Sequence, residues 1–185
     1  GSRAVDFGAA VDHARTGAVV HSGAVCAAGA ALVVEEAIAG RFVDELVRRA
    51  RDVRLGGPFD DAAETGPLIS GAHRDKVHAY VQRGIQEGAR LRTGGAAPQG
   101  EKYDGGFYYQ PTILDRVERG MSVVIDEAFG PVVTVATFRP ADEAVATAND
   151  TLYGRAGPVW AQDAGQAQPV APRLRHGPAR VHAPP

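Results

Sequence analysis

Cysteine is nearly absent from this chain: Cys26 is the only one in 185 residues, beside a single methionine and a single tryptophan. One thiol excludes an internal disulfide framework and suits a reducing compartment, so a cytoplasmic setting is expected. No apolar run approaches the roughly 20 residues that span a bilayer, and the N-terminus has no signal-peptide pattern. The formal net charge of −2 gives no electrostatic footprint for nucleic acid or an anionic membrane. No Cys/His cluster has metal-ligand spacing, so no metal is expected. No G-x-G-x-x-G follows a strand, which removes the usual glycine-rich turn for a diphosphate. Internal repeats are lacking too.

What remains is ordinary for a soluble globular domain: 44% hydrophobic and 23% charged residues. The periodicity predicts helices over residues 4–20, Glu35–Arg54 (apolar at Ile38, Phe42, Leu46, Val47 and Val53), Ala72–Gly88 and Ala141–Asn149. Gly56-Gly57-Pro58 stops the second of these, and Ser70 is a plausible N-cap for the third, whose apolar face is Val77, Tyr80, Val81 and Ile85. His73 and His78, five apart on that helix, read as solvated. Strands are expected at Leu32–Val34, Arg90–Thr93, Tyr108–Val117 (interrupted by Pro111), Val132–Phe138, Gly157–Trp160 and Ala179–His182. Residues 58–72 and 96–106 read as loops. Gln162–Arg175 has helical spacing, but Pro169 and Pro172 sit inside it, and an interior proline costs about 3 kcal/mol. Helices alternating with buried strands argue for an α/β fold, a mostly parallel sheet flanked by helices. One domain over residues 1–185 is expected, with 161–185 kinked, shortened or disordered.

Two stretches carry the chemistry. Ser22-Gly23-Ala24-Val25-Cys26-Ala27-Ala28-Gly29 sets the lone thiol among small residues, open to close approach by a substrate. The other reading of a free cysteine is a buried small hydrophobe. The second stretch is Asp126-Glu127-Ala128-Phe129-Gly130-Pro131, in which Glu127 lies 101 positions beyond Cys26. Together they resemble the signatures of the aldehyde dehydrogenase superfamily, a Gly-Gln-x-Cys nucleophile segment followed by Glu-Glu-x-Phe-Gly-Pro. Gly66-Pro67-Leu68-Ile69-Ser70, Gly106-Phe107-Tyr108-Tyr109-Gln110-Pro111-Thr112 and Ala148-Asn149-Asp150-Thr151-Leu152-Tyr153-Gly154 are similar to further family segments. Within the family, Glu64–Ser70 and His73–Val77 have the look of the betaine-aldehyde and amino-aldehyde branch.

The resemblance implies that Cys26 attacks an aldehyde as thiolate, with its own N–H helping to hold the oxyanion. Glu127 then matches the Glu that bonds the nicotinamide ribose, and Phe129 the ring beside the nicotinamide; without the Cys26 match these read as a loop carboxylate and a core aromatic. It also implies that the cofactor-binding half lies outside this sequence, with its general-base Glu, oxyanion Asn and ribose-binding Lys. No cofactor is therefore expected for this chain alone, and NAD or NADP only if a cofactor domain is supplied. Ala24 replaces the Gln before the thiol, and His21-Ser22 stand where Asn and a small or amide residue are usual. His21 is a candidate partner that could activate Cys26, although spacing alone does not place it there; a surface or packing histidine is its other reading. The expected partners are a small-molecule carbonyl substrate and either a second copy of the chain or a missing cofactor domain, with no nucleic acid and no membrane. Three functions stay open: thiol-dependent carbonyl chemistry as part of a dehydrogenase, a cofactor-independent reaction in the remaining cavity, and an inactive binding or oligomerisation module.

Overall fold

Strand β4 (Val132–Phe138) runs through the centre of the sheet, and its first four residues are buried. A strand covered on both faces reads as a continuous apolar run rather than an alternating one. A computed structural model describes residues 7–26, 30–155, 157–161, 164–177 and 181–182. In it β1 (Ala31–Glu35) and β3 (Thr112–Asp115) pair with β4 in parallel, and β2 (Arg90–Thr93) closes the far edge antiparallel to β3, giving the order β1-β4-β3-β2. The expected mostly parallel α/β sheet is thus the fold.

Period-two alternation sends the side chains of β3 and β4 into two separate cores. Ile113, Val133 and Val135 point to one face, where α1 (Phe7–Val19) and α2 (Glu36–Arg51) supply Val11, Phe42, Val43, Leu46 and Val47. Leu114, Val132 and Ala136 point to the other, where α3 (Gly71–Gln86) and α4 (Ser122–Ile125) supply Val77, Tyr80, Val81 and Val123. On α2 the buried stripe is Ala39, Phe42, Val43, Leu46, Val47 and Ala50, spaced at three and four residues as one helix face requires. Ile38, expected on that stripe, lies one position off it and is exposed, and Val53 lies beyond the end of the helix. Arg48, Arg49 and Arg51 crowd the last turn of α2, where the helix dipole favours cations.

The predicted cap holds: the Ser70 hydroxyl accepts the His73 N–H at 3.2 Å. α3 ends at Gln86, and Gly88 just beyond it has a φ of +112° that lets Ala89 N–H reach back to the Gly84 carbonyl at 2.9 Å. β3 begins directly after Pro111, which has no N–H to give a ladder. Asp115, buried at the end of β3, accepts from Arg90 (2.6 and 2.8 Å) and Arg92 (2.7 Å) across the β2–β3 pair. Burial alone would raise this carboxyl; the two guanidiniums outweigh it and hold it below the ordinary value.

Beyond α5 (Ala141–Asn149), β5 (Val159–Trp160) and β6 (Val181–His182) form a small parallel pair of their own. The helical spacing over Gln162–Arg175, expected to be kinked or shortened by its prolines, gives two short pieces among the described residues, α6 (Ala164–Ala167) and a 3-10 turn at Ala171–Arg173 that carries Pro172 in its first turn. The parts of the sequence reading that fall on residues 4–6, Ala27–Gly29, 162–163, 178–180 and 183–185 lie outside the described residues.

Candidate active site

One stripe of α3, His73, Val77, Tyr80 and Gly84, builds the platform for the Glu127 loop, because residues at these intervals share a helix face. The Tyr80 hydroxyl donates to the Val123 carbonyl at 2.6 Å and to that of Asp126 at 3.2 Å. Burial, with the charge of Asp126 beside it, pushes this phenol well above its ordinary value, so it stays a donor. Gly84 has no room for a side chain against Val123, and Gly130 none against Val77. At the start of the stripe His73 Nε2 lies 2.7 Å from the Phe129 carbonyl, and the two rings meet edge to face at 6.4 Å. A carbonyl only accepts, so this bond assigns the hydrogen to Nε2. Both histidines read as solvated therefore have partners: His78 Nδ1 bonds the Tyr109 hydroxyl at 3.1 Å.

On this platform Ala128 is buried while Glu127 and Phe129 face outward, the Phe129 residue 39% exposed. Phe129 has a φ of +51°, a backbone region that non-glycine residues adopt only at a cost.

The thiol loop approaches the same platform from the other end of the chain. α1 ends in a tight turn, Val20–Gly23, with φ of +47° at His21, +56° at Ser22 and +72° at Gly23. Three successive left-handed residues reverse the chain sharply. The Ser22 side chain, 5% exposed, is turned inward: its hydroxyl donates to the Gly66 carbonyl at 2.7 Å and lies 3.2 Å from the Thr65 hydroxyl. Gly23 packs directly on the peptide between Gly130 and Pro131, so closely that a Cβ would overlap the Gly130 carbonyl. This contact joins the two loops. Cys26 follows three residues later in an exposed turn, so the buried-hydrophobe reading of it falls. His21 is exposed, and no hydrogen bond joins its imidazole to Cys26 among the described residues. Its backbone carbonyl instead accepts from Ala24 N–H at 3.0 Å.

The model for the aldehyde dehydrogenase family matches residues 2–184. The chain belongs to that family. It is 48% identical over 172 residues to a betaine aldehyde dehydrogenase of Bacillus subtilis (strain 168), a match covering 93% of this chain and 35% of that protein. It is 38% identical over 178 residues to a betaine aldehyde dehydrogenase of Brucella ovis, covering 96% of this chain and 37% of the other. A crystal structure of the Staphylococcus aureus betaine aldehyde dehydrogenase in complex with NAD+ superposes with a TM-score of 0.94 at 38% identity, covering 97% of this chain and 36% of that one. A point mutant of the same enzyme, with NAD+ and a BME-modified cysteine, superposes with the same score, identity and coverage. The chain spans about a third of the length of these relatives.

The family implies a nicotinamide dinucleotide. Glu127 and Phe129, both outward-facing, fit its nicotinamide-ribose end by chemistry: a carboxylate that accepts from hydroxyls and a ring that stacks. Two cavities of about 310 and 360 Å³ lie elsewhere, one at Arg74, Tyr103 and Tyr108 and one at Glu36, Arg139 and Glu143. Neither is lined by the Cys26 or Glu127 loop. Ser22, Thr65, His73 and Tyr80 are supporting residues to which sequence reading gives no such role: it places Tyr80 on the apolar face of α3 and reads His73 as solvated, while Ser22, Thr65 and His73 fall in segments singled out for their resemblance to the family.

Proposed function

We propose that this chain performs the thiol-dependent half of aldehyde dehydrogenase chemistry, with Cys26 adding to a small carbonyl compound, and that it needs residues beyond its own to use NAD or NADP. The observation that supports this most is the packing of Gly23 against Gly130, which seats the Cys26 loop beside Glu127 and Phe129. A BME-modified cysteine in a relative of 38% identity supports a reactive thiol in this fold.

In the proposed step the Cys26 thiolate bonds to the aldehyde carbon, the C=O pair moves onto oxygen, and a proton then makes the thiohemiacetal. The Cys26 N–H is the oxyanion donor that travels with the nucleophile, and a preorganised backbone donor needs no rearrangement as charge develops. His21, exposed in the preceding turn, is the candidate to take the thiol proton. Glu127 and Phe129 are the residues proposed to meet a nicotinamide cofactor, which would supply hydride-accepting chemistry if bound.

A second reading, cofactor-independent acyl transfer, is favoured by Glu127 and Phe129 being the only residues among those described that the family resemblance assigns to a dinucleotide. With an activated ester, the thiolate displaces a phenolate to give a thioester, which water hydrolyses. The third, an inactive binding or self-associating module, draws on exposed Ile125, Phe129, Leu152 and Tyr153. Kinetics on p-nitrophenyl acetate separate them. Cys26→Ala should abolish phenolate release, Cys26→Ser should leave little, and His21→Ala should slow release only if that imidazole takes the thiol proton. Full activity in Cys26→Ala would sink the thiol reading, and no release by the parent chain would favour the third.

A further inference from the structure

The structure assigns residues 65–73 the role of a brace that sets the position of the Cys26 loop relative to the Glu127–Phe129 loop, with Ser22 and His73 as positioning residues. Three contacts form a closed triangle. Ser22 bonds the start of the brace, at Thr65 and Gly66. His73, at its end, bonds the Phe129 carbonyl. The third side is the direct contact of Gly23 with Gly130.

The brace is itself fixed to the body of the protein. Gly56 N–H donates to the Thr65 carbonyl at 3.1 Å, and Leu68 N–H to the Phe107 carbonyl at 3.0 Å. Ser70 caps α3 through the backbone of His73, which sets where that imidazole leaves the helix. The two polar side chains of the triangle meet the two loops where each is strained. The non-glycine residues with positive φ among those described are His21, Ser22, Arg116 and Phe129. Three of the four lie in these loops. A left-handed non-glycine residue persists only where surrounding contacts over-determine it. The Ser22 hydroxyl and the His73 imidazole are those contacts, and both come to the same nine-residue segment. Loosening either end should therefore loosen both loops, because the Gly23–Gly130 side passes the change across.

This rests on the reading of Cys26 and Glu127 as one site for its consequence, but its test does not use their chemistry. Amide hydrogen exchange, read by mass spectrometry on peptides covering residues 20–26 and 126–131, measures loop opening directly. His73→Leu should speed exchange in both peptides by about fivefold, the net worth of one hydrogen bond, while β3 and β4 stay protected. His73→Gln, which restores an N–H donor, should return both toward the parent rate. Thr65→Val, close in shape but lacking the hydroxyl, should speed residues 126–131 as well as 20–26, and serves should His73→Leu fold poorly. Exchange that rises only in the loop each variant touches would overturn the brace, as would a His73→Gln protein indistinguishable from His73→Leu. Full ester turnover in Cys26→Ala with coupled exchange intact would sink the thiol reading and leave the brace standing, so the two ideas fail separately.

Discussion

Replacing Gly23 by alanine should be among the most damaging single-atom changes available in this protein. Gly23 has a φ of +72°, and a Cβ there would overlap the Gly130 carbonyl and lie 2.8 Å from Pro131 N. The backbone conformation alone costs an L-residue roughly 1–2 kcal/mol. The overlap adds a strain of about 1–3 kcal/mol, since its targets are main-chain atoms of a buried turn and not a side chain that can swing aside. Together these reach about 2–5 kcal/mol, against a total stability of roughly 5–15 kcal/mol for a domain of this kind. Urea denaturation, followed by tyrosine and tryptophan fluorescence, measures the loss. Gly120→Ala supplies the comparison: its φ is +93° with nothing within 4 Å of the added carbon, so it should show the backbone cost without the overlap. Equal losses in the two variants would mean that the loops are not in contact at Gly130, and the joining of the Cys26 and Glu127 segments would lose its basis.

Gly40→Ala should act in the opposite direction, because it sits within α2 with open space around it; a gain of about 1 kcal/mol in the same denaturation assay is expected. Asp115→Asn should destabilise by about 2–3 kcal/mol, since it leaves Arg90 and Arg92 without their shared carboxylate. The parent carboxyl is held low in the folded state, so its contribution is full above the unfolded value near 4 and is lost as pH falls through the lower folded value; thermal melts from pH 6 to pH 2 should show this acid loss in the parent and a flatter profile in Asp115→Asn. Calorimetric titration of these 185 residues with NAD and with NADP should give dissociation constants no tighter than about 100 μM, and a low-micromolar value would show that the chain holds a dinucleotide unaided.

Sequence periodicity located the elements that bury a face: α2 through Phe42, Leu46 and Val47, α3 through Val77, Tyr80 and Val81, and β4 through its valines. These are local signals, and burial strengthens them. Ile38 shows the limit, since a residue one position off a stripe looks the same in sequence as one on it. The site was legible only as two segments that resemble a family. Nothing local to Ser22 indicates that it turns inward to Gly66, and nothing local to His73 indicates that a carbonyl 56 residues later needs a donor. Five-residue spacing along α3 correctly separates His73 from His78, yet each takes its partner from another part of the chain. The left-handed run at His21 and Ser22 was equally hidden, because neither residue type demands it; it follows from the approach of Gly23 to Gly130.

The most direct test of thiol chemistry is to incubate the chain with a slight excess of p-nitrophenyl acetate, quench in acid and map the acetyl group by peptide mass spectrometry. Acetylation should fall on the peptide that contains Cys26, release with hydroxylamine as a thioester does, and vanish in Cys26→Ala. An acetyl group found on lysines or the hydroxyl residues instead, with the Cys26 peptide unmodified, would show that the exposed Cys26 thiol is not a nucleophile toward carbonyl carbon.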